Sequence, residues 1–281
     1  MWAKGGNSFG QLGDNTRLIR TRFVQVLASG VQSVTAGALH TVVLKQDGSL
    51  WSAGLNQFGQ LGDERPTRDW EHYMQVITQG VKNVAAGFLH TVALKHNGSV
   101  WATGDNEYGQ IGDGKANSTV SIFKQVVAAG VQSVAAAGFH TILLKLDGSV
   151  AAAGKNTHYQ LGDGTSINRN RFVQVVASGV LRVSVGFAHS IILKQDTSVW
   201  AAGTNFLRQF GPEIETENRH FQKVFVGDVQ AMVAGTSSTI LLKRDGSAWA
   251  TGSAIVDRVL RSQTVGFKQV ACELQNSCNG P

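Results

Sequence analysis

Two cysteines and three prolines in 281 residues remove two of the usual ways of bracing a loop-rich chain. Cys272 and Cys278 both fall in the C-terminal tail, so no disulfide framework organises the body, and they read as unpaired thiols in a reducing compartment. Long apolar runs are also missing. No stretch approaches the roughly 18 residues that a membrane-spanning helix needs, which excludes that class. Repeated sequence begins at Trp2, leaving no room ahead of it for a secretory leader. The predicted setting is therefore cytoplasmic or nuclear, away from membrane. Glycine, by contrast, is abundant at 33 residues, a balance that suits tight turns rather than disorder.

What the chain does have is a period. Trp2, Trp51, Trp101, Ala151, Trp200 and Trp249 open one short segment at steps of 49 or 50 residues. A second mark, Gly-x-x-His followed by a hydroxyl residue, runs from Gly37 to Thr41, Gly87 to Thr91 and Gly186 to Ser190. The third copy shifts its glycine to Gly138 and keeps His140, and the fifth has Ser238 in place of the histidine. A third mark, Gly-Gln-Leu/Ile-Gly-Asp, falls at 10–14, 59–63 and 109–113, survives in part from Tyr159 to Asp163, and has decayed by Gln209 to Pro212. A period of this size means a solenoid, propeller or array.

The unit reads as strands throughout. In the second copy Val81 to Ala86 and His90 to Lys95 are apolar runs, Asn97-Gly98 is a two-residue turn, and Ser99 to Thr103 returns. Asp47-Gly48, Asp147-Gly148 and Asp245-Gly246 occupy the same turn, for which both central residues are predicted to need positive φ. Phe23 to Val26, Phe123 to Val126 and Phe172 to Val175 supply a fourth strand. Four antiparallel strands per unit predict an all-β fold, a β-propeller of four-stranded blades in a single domain over 1–281. The small residues of the first strand, such as Val-Ala-Ala-Gly at 84–87, suit the crowded axis. The repeats fall near 1–30, 31–80, 81–130, 131–179, 180–228 and 229–281, predicting five complete blades plus a partial one that joins the two ends. An alternative register makes Phe267 to Ser277 a first strand.

The string VAAGFLHTVALKHNGSVWATGDNEYGQIGD, from Val84 through Asp113, resembles the repeat of the regulator of chromosome condensation family, and the likeness extends over at least residues 2–252. The resemblance implies a propeller, usually of seven blades, in a family that includes an exchange factor for the nuclear GTPase Ran, a plant ultraviolet photoreceptor, modules of ubiquitin ligases and bacterial effectors. It implies no single function, because one fold hosts many. This chain is a divergent member. Lys4, Ala53, Thr103, Ala153, Ala202 and Thr251 stand where the family has a tryptophan before the strand-ending glycine. Ala38, Phe88, Phe139, Phe187 and Thr236 replace the photoreceptor's light-reading tryptophans, and no spacing is stretched to hold the exchange factor's β-wedge.

No catalytic, cofactor or metal site is predicted, and the chain is read as not an enzyme. His40, His90, His140 and His189 recur at symmetry-related positions that blade radius holds apart, which points to structural hydrogen bonding. Asp14, Asp63, Asp113 and Asp163 read as turn residues. Phosphate loops, nucleophile elbows and paired-cysteine zinc motifs are missing.

The residues that vary between copies carry the functional expectation. Once the repeating lysines and aspartates are set aside, the remainder carries +9 against a whole-chain +6. Much of this excess is arginine in the connectors between third and fourth strands: Arg17, Arg20, Arg22, Arg65, Arg68, Arg169, Arg171, Arg208 and Arg219. Trp70 and Tyr73 stand in the second connector, and the Gly-x-x-His loops on the same face display Phe88, Leu89, Phe139 and Phe187. Arginine and aromatics are enriched at binding hot spots, and arginine favours bidentate pairing with carboxylates or phosphates. The expected function is a non-catalytic protein-interaction module that binds a protein with an acidic surface through this face. The alternatives are a guanine nucleotide exchange factor for a Ran-like small GTPase and a binder of chromatin, histone or nucleic acid.

Overall fold

The computed structural model describes residues 1–65, 68–252 and 267–270; Cys272 and Cys278 lie outside them. β1 (Trp2–Gly5) pairs with β2 (Arg20–Gln25) in a two-stranded sheet, and five four-stranded antiparallel sheets follow in chain order. Blade one is β3 (Val31–Ala36), β4 (His40–Lys45), β5 (Leu50–Gly54) and β6 (Trp70–Ile77). Blade two is β7 (Val81–Ala86), β8 (His90–Lys95), β9 (Val100–Asp105) and β10 (Thr119–Val127), and blade three is β11 (Val131–Ala137), β12 (His140–Lys145), β13 (Val150–Gly154) and β14 (Arg169–Val176). Blade four is β15 (Val180–Val185), β16 (His189–Lys194), β17 (Val199–Thr204) and β18 (Glu217–Phe225). Blade five is β19 (Val229–Ala234), β20 (Thr239–Lys243), β21 (Ala248–Thr251) and β22 (Lys268–Val270). This is the β-propeller predicted, with five complete blades and a partial one. Because β22 pairs with β21, the register that made Phe267 a first-strand residue is overturned.

The hairpin turns differ from the two-residue prediction. Gly48 is left-handed with φ 77°, but Asp47 is not. Gly48 N donates to Lys45 O at 3.0 Å and Lys45 N to Ser49 O at 2.9 Å, so the loop has three residues, of which only the last needs positive φ. Asp47 is used through its side chain instead. Its Oδ1 accepts from Ser49 N and Ser49 Oγ, and Ser49 Oγ accepts in turn from Trp51 Nε1 at 2.9 Å. The periodic tryptophan thus braces its own turn, with the Lys45 ammonium 3.9 Å from its ring centroid.

The core lies between blades rather than within them. Alternation along the second strand sends Val42 and Leu44 toward Val81, Val84 and Ala93 of blade two, while Val43 points back toward Tyr73 and Met1. The same arrangement recurs at each junction up to blades four and five, where Phe210 joins Val229, Met232 and Leu241. Among the described residues the arrangement is not repeated on the far face of blade five: Ile240 and Leu242, equivalents of Val42 and Leu44, are 42% and 39% exposed.

The Gly-Gln-Leu/Ile-Gly-Asp segment latches each blade to the next. A Cβ on Gly59 would lie 2.4 Å from Ser121 Cα in the outer strand of blade two, and one on Gly62 would lie 2.6 Å from the Phe123 ring. The glycines are therefore demanded by close approach as well as by their φ of 75° and 76°. Asp14, Asp63, Asp113 and Asp163 each bridge to the following blade's outer strand. Asp63 Oδ1 also accepts from Asn56 Nδ2 and Arg65 N, the turn role predicted for it.

Candidate functional site

The repeated spacing of histidines places each at a blade junction. His40, His90 and His140 are fully buried, and their Nε2 atoms lie 3.1, 3.0 and 2.9 Å from the hydroxyls of Thr91, Thr141 and Ser190 in the next blade. Those hydroxyls spend their protons on the carbonyls of Gln60, Gln110 and Gln160, so the ring Nε2 is the donor. Burial depresses the pKa of the three imidazoles to about 4, 3 and 3, keeping them neutral. Their role is structural, as the spacing predicted.

The arginines go to three kinds of place. Arg20, Arg22, Arg169, Arg171 and Arg219 lie within outer strands, not in the connectors to which they were assigned, because β2, β14 and β18 begin earlier than the sequence suggested. An outer strand is three strand spacings from the inner one, about 15 Å. These arginines therefore stand at the rim, away from the central patch. Arg20 and Arg169 pair with Asp14 and Asp163, Arg17 reaches Glu71 at 2.8 Å, and Arg65 lies 3.6 Å from Asp63. Arg22, Arg68, Arg171, Arg208 and Arg219 have no carboxylate partner among the described residues. Arg68 stacks 4.3 Å from the Trp70 centroid and Arg219 lies 5.2 Å from that of Tyr159.

Trp70 and Tyr73 are not displayed: each is 7% exposed. Trp70 Nε1 donates to Asp63 Oδ2, and the Tyr73 ring occupies the space a Cβ on Gly13 would need. Both serve the latch between blades.

The Gly-x-x-His loops do come together. Ala38 N donates to Phe88 O at 3.1 Å and Phe88 N to Gly138 O at 2.8 Å, tying successive loops around the axis. Phe88, Phe139 and Phe187 form a triangle with centroid separations of 5.2, 6.0 and 5.8 Å, and Tyr108 packs edge-on to Phe139 at 5.4 Å. Phe88 and Phe187 are 38% and 41% exposed, and Leu89 is half-buried beside them. The platform is lopsided, since Ala38 and Thr236 hold the positions of Phe88 in blades one and five. It borders an axial mouth of about 470 Å³ lined by Ala36, Ala86, Ala137, Val185 and Ala234, the small inner-strand residues the sequence predicted there.

Three contributors went unrecognised in the sequence: Lys155, Phe206 and Leu207. Lys155 stands where blades one, two and four have Leu55, Asp105 and Thr204; Phe206 and Leu207 occupy the loop that reads Gln57-Phe58 and Glu107-Tyr108 in earlier copies. Aligning the copies at the Asn56, Asn106, Asn156 and Asn205 register exposes Lys155 and Phe206 as departures, while Leu207 continues the large apolar position of Phe9, Phe58 and Tyr108.

Sequence profiles described as the Regulator of chromosome condensation (RCC1) repeat match residues 31–60, 81–110 and 97–144. No curated protein matches the chain in sequence. Among solved structures, human WBSCR16 superposes with a TM-score of 0.80 at 21% identity, over 96% of this chain and 76% of that one. Yeast RCC1 (Prp20), solved with Kap60 bound, gives 0.67 at 15% identity over 98% and 84%. Prp20p from Saccharomyces cerevisiae, described together with its binding to Gsp1p and histones, gives 0.64 at 16% over 98% and 86%. Likeness at these identities establishes the fold.

Proposed function

From the premise that this chain belongs to the regulator of chromosome condensation (RCC1) repeat family, we propose that it is a non-catalytic protein-interaction module that docks its partner on the connector face. The observation carrying this reading is the platform of Phe88, Phe139 and Phe187. Exposed aromatics in mutual contact are costly to leave in water, and the repeat does not demand them, because Ala38 and Thr236 serve elsewhere. Packed aromatics of this kind act as binding anchors. Arg22, Arg68, Arg171, Arg208 and Arg219 add an uncompensated positive rim, and the whole chain carries +6. Such a rim steers an acidic protein surface toward the platform and accelerates encounter at low salt. The chain works in the cytoplasm or nucleus, as a single domain whose repeats act together.

The test compares capture of partners by the native chain with capture by two variants of native fold. One carries Phe88→Ser and Phe187→Ser; the other carries Arg22→Glu, Arg171→Glu and Arg219→Glu. Arg17, Arg20, Arg65 and Arg169 are left alone because their carboxylate contacts are structural. A partner kept by the native chain and lost by the first variant supports the platform. Retention by both variants overturns the proposal. Exchange activity on a small GTPase is the second reading, favoured by the likeness to Prp20p. It requires accelerated release of labelled nucleotide, which a binding module leaves unchanged.

A further inference from the structure

Beside the platform, between blades three and four, lies a cavity of about 240 Å³ walled by Phe139, Phe187, Phe206, Leu207 and Lys155. His158 also lines it, with its Nδ1 3.7 Å from Glu217 Oε1. We propose that this cavity receives one large apolar side chain of an extended acidic segment in the partner protein, with a partner carboxylate meeting Lys155. This deepens the interaction reading above and rests on it.

Three independent features support the assignment. The first is apolar exposure in a loop that has no need of it. Phe206 is 59% exposed where the same position in the other described loops holds Ser8, Gln57, Glu107 and Thr157, and Leu207, 46% exposed, stands more open than Phe9, Phe58 and Tyr108 at its own position. A cavity of this size, with aromatic walls, takes one side chain rather than a folded element.

The second is charge. The Lys155 ammonium lies 4.8 Å from the Tyr108 centroid and 5.4 Å from that of Phe139, and it has no ion pair among the described residues. Ring faces hold the ammonium over the platform without neutralising it. It is thus a fixed positive charge beside an apolar hole, which a segment pairing a leucine, methionine or phenylalanine with an aspartate or glutamate complements.

The third is backbone strain. The loops lining the cavity contain Tyr159 at φ 60° and Arg208 at φ 63°, in the register where other copies have Gly10, Gly59 and Gly109. Glycine adopts that conformation freely and these residues do not. Among the described residues the two copies that depart from glycine are the two whose loops wall the cavity; the other non-glycine residues with positive φ, Asn15, Glu64, Asn117 and Thr197, lie elsewhere, so this is the place where two meet at one cavity.

Selection of 12-residue peptides displayed on phage, against the full chain and its Lys155→Glu variant, tests the assignment. The native chain should enrich an apolar residue with an aspartate or glutamate within two positions. A synthetic peptide of that sequence should bind Lys155→Glu about tenfold more weakly at low salt, and selection on the variant should turn toward lysine or arginine beside the same anchor. Phe206→Ser, changed at an exposed position, should also weaken the native peptide, with circular dichroism verifying the fold. Identical motifs from native and Lys155→Glu chains overturn the inference. If those motifs still require Phe88 and Phe187, the platform reading survives that result; if peptide binding is indifferent to all of these residues, both readings fall.

Discussion

The junction of blades two and three differs sharply from that of blades four and five, although the same sequence positions build both. At the former, His90 Nε2, the Thr141 hydroxyl and the Gln110 carbonyl form a complete chain across the interface. At the latter, buried His189 has no hydrogen bond of ordinary geometry on either ring nitrogen, though the nearby Ser238 backbone favours its charged form slightly. The Thr239 hydroxyl opposite is unpartnered as well. Pro212 has replaced the latch aspartate and Arg208 the first latch glycine. What remains is Phe210 filling the leucine's place and two hydroxyl bonds, from Thr251 Oγ1 to Arg208 O at 2.7 Å and from Ala234 N to Ser184 Oγ at 3.0 Å. Apolar burial and these two bonds pack blades four and five together without the histidine–hydroxyl–carbonyl chain that fixes the register of blades two and three.

Acid should have the largest effect, and it acts on blades one to four, since blade five has Ser238 in place of a histidine. Burial lowers His40, His90, His140 and His189 from 6.5 to about 4, 3, 3 and 4. Between those values and 6.5 the unfolded chain binds more protons than the folded one. Stability is therefore full above pH 6.5 and is lost as pH falls toward 4, by about 2 kcal/mol per histidine at pH 5. Urea midpoints measured from pH 7.5 to 5 should fall steadily, with His90→Gln flattening the slope; a flat profile in the native chain would refute neutral burial.

Next comes Gly87→Ala. A Cβ there would sit 2.0 Å from His90 Cε1, against which the ring packs, so about 3 kcal/mol should be lost. Gly235→Ala, its equivalent in blade five, meets only the Ser238 hydroxyl at 2.7 Å, which can rotate away, and should stay within about 1 kcal/mol of the native chain. Equal costs, read from denaturation midpoints, would break the distinction between the histidine-bearing blades and blade five.

The smallest expected effect sharpens it most. Thr141→Val strands the His90 donor and the Gln110 carbonyl and should cost about 2 kcal/mol. Thr239→Val removes a buried hydroxyl that already lacks a partner, and should be neutral or stabilising by about 0.5 kcal/mol. Loss of stability in both would mean that Thr239 is bonded in solution.

The blades and the structural histidines were legible from residues because each depends on neighbours close in sequence or repeated at one phase. A hairpin is made by Asp47, Gly48 and Ser49 whatever lies beyond, and a mark recurring every 49 or 50 residues cannot be a single active site. The turn type was misjudged for a local reason: Asp47 satisfies its turn through its carboxylate, which frees its backbone from the left-handed conformation. The candidate site was half legible. Phe88, Phe139 and Phe187 belong to loops whose position is set by the repeat, whereas Lys155 and Phe206 acquire meaning only beside one another.

Period, strand content, blade plan and the axial crowding that demands small side chains thus follow from the amino acids alone, through backbone geometry and alternation. The fates of the arginines and of Trp70 and Tyr73 required the folded molecule. A guanidinium in a connector and one on an outer strand have the same local sequence, and only contact between blades determines whether Asp14, Asp163 or water receives it. The exposed faces of Ile240 and Leu242, like the cavity under Phe206, are likewise consequences of which surface stands opposite, a property of the assembled blades and of no single repeat.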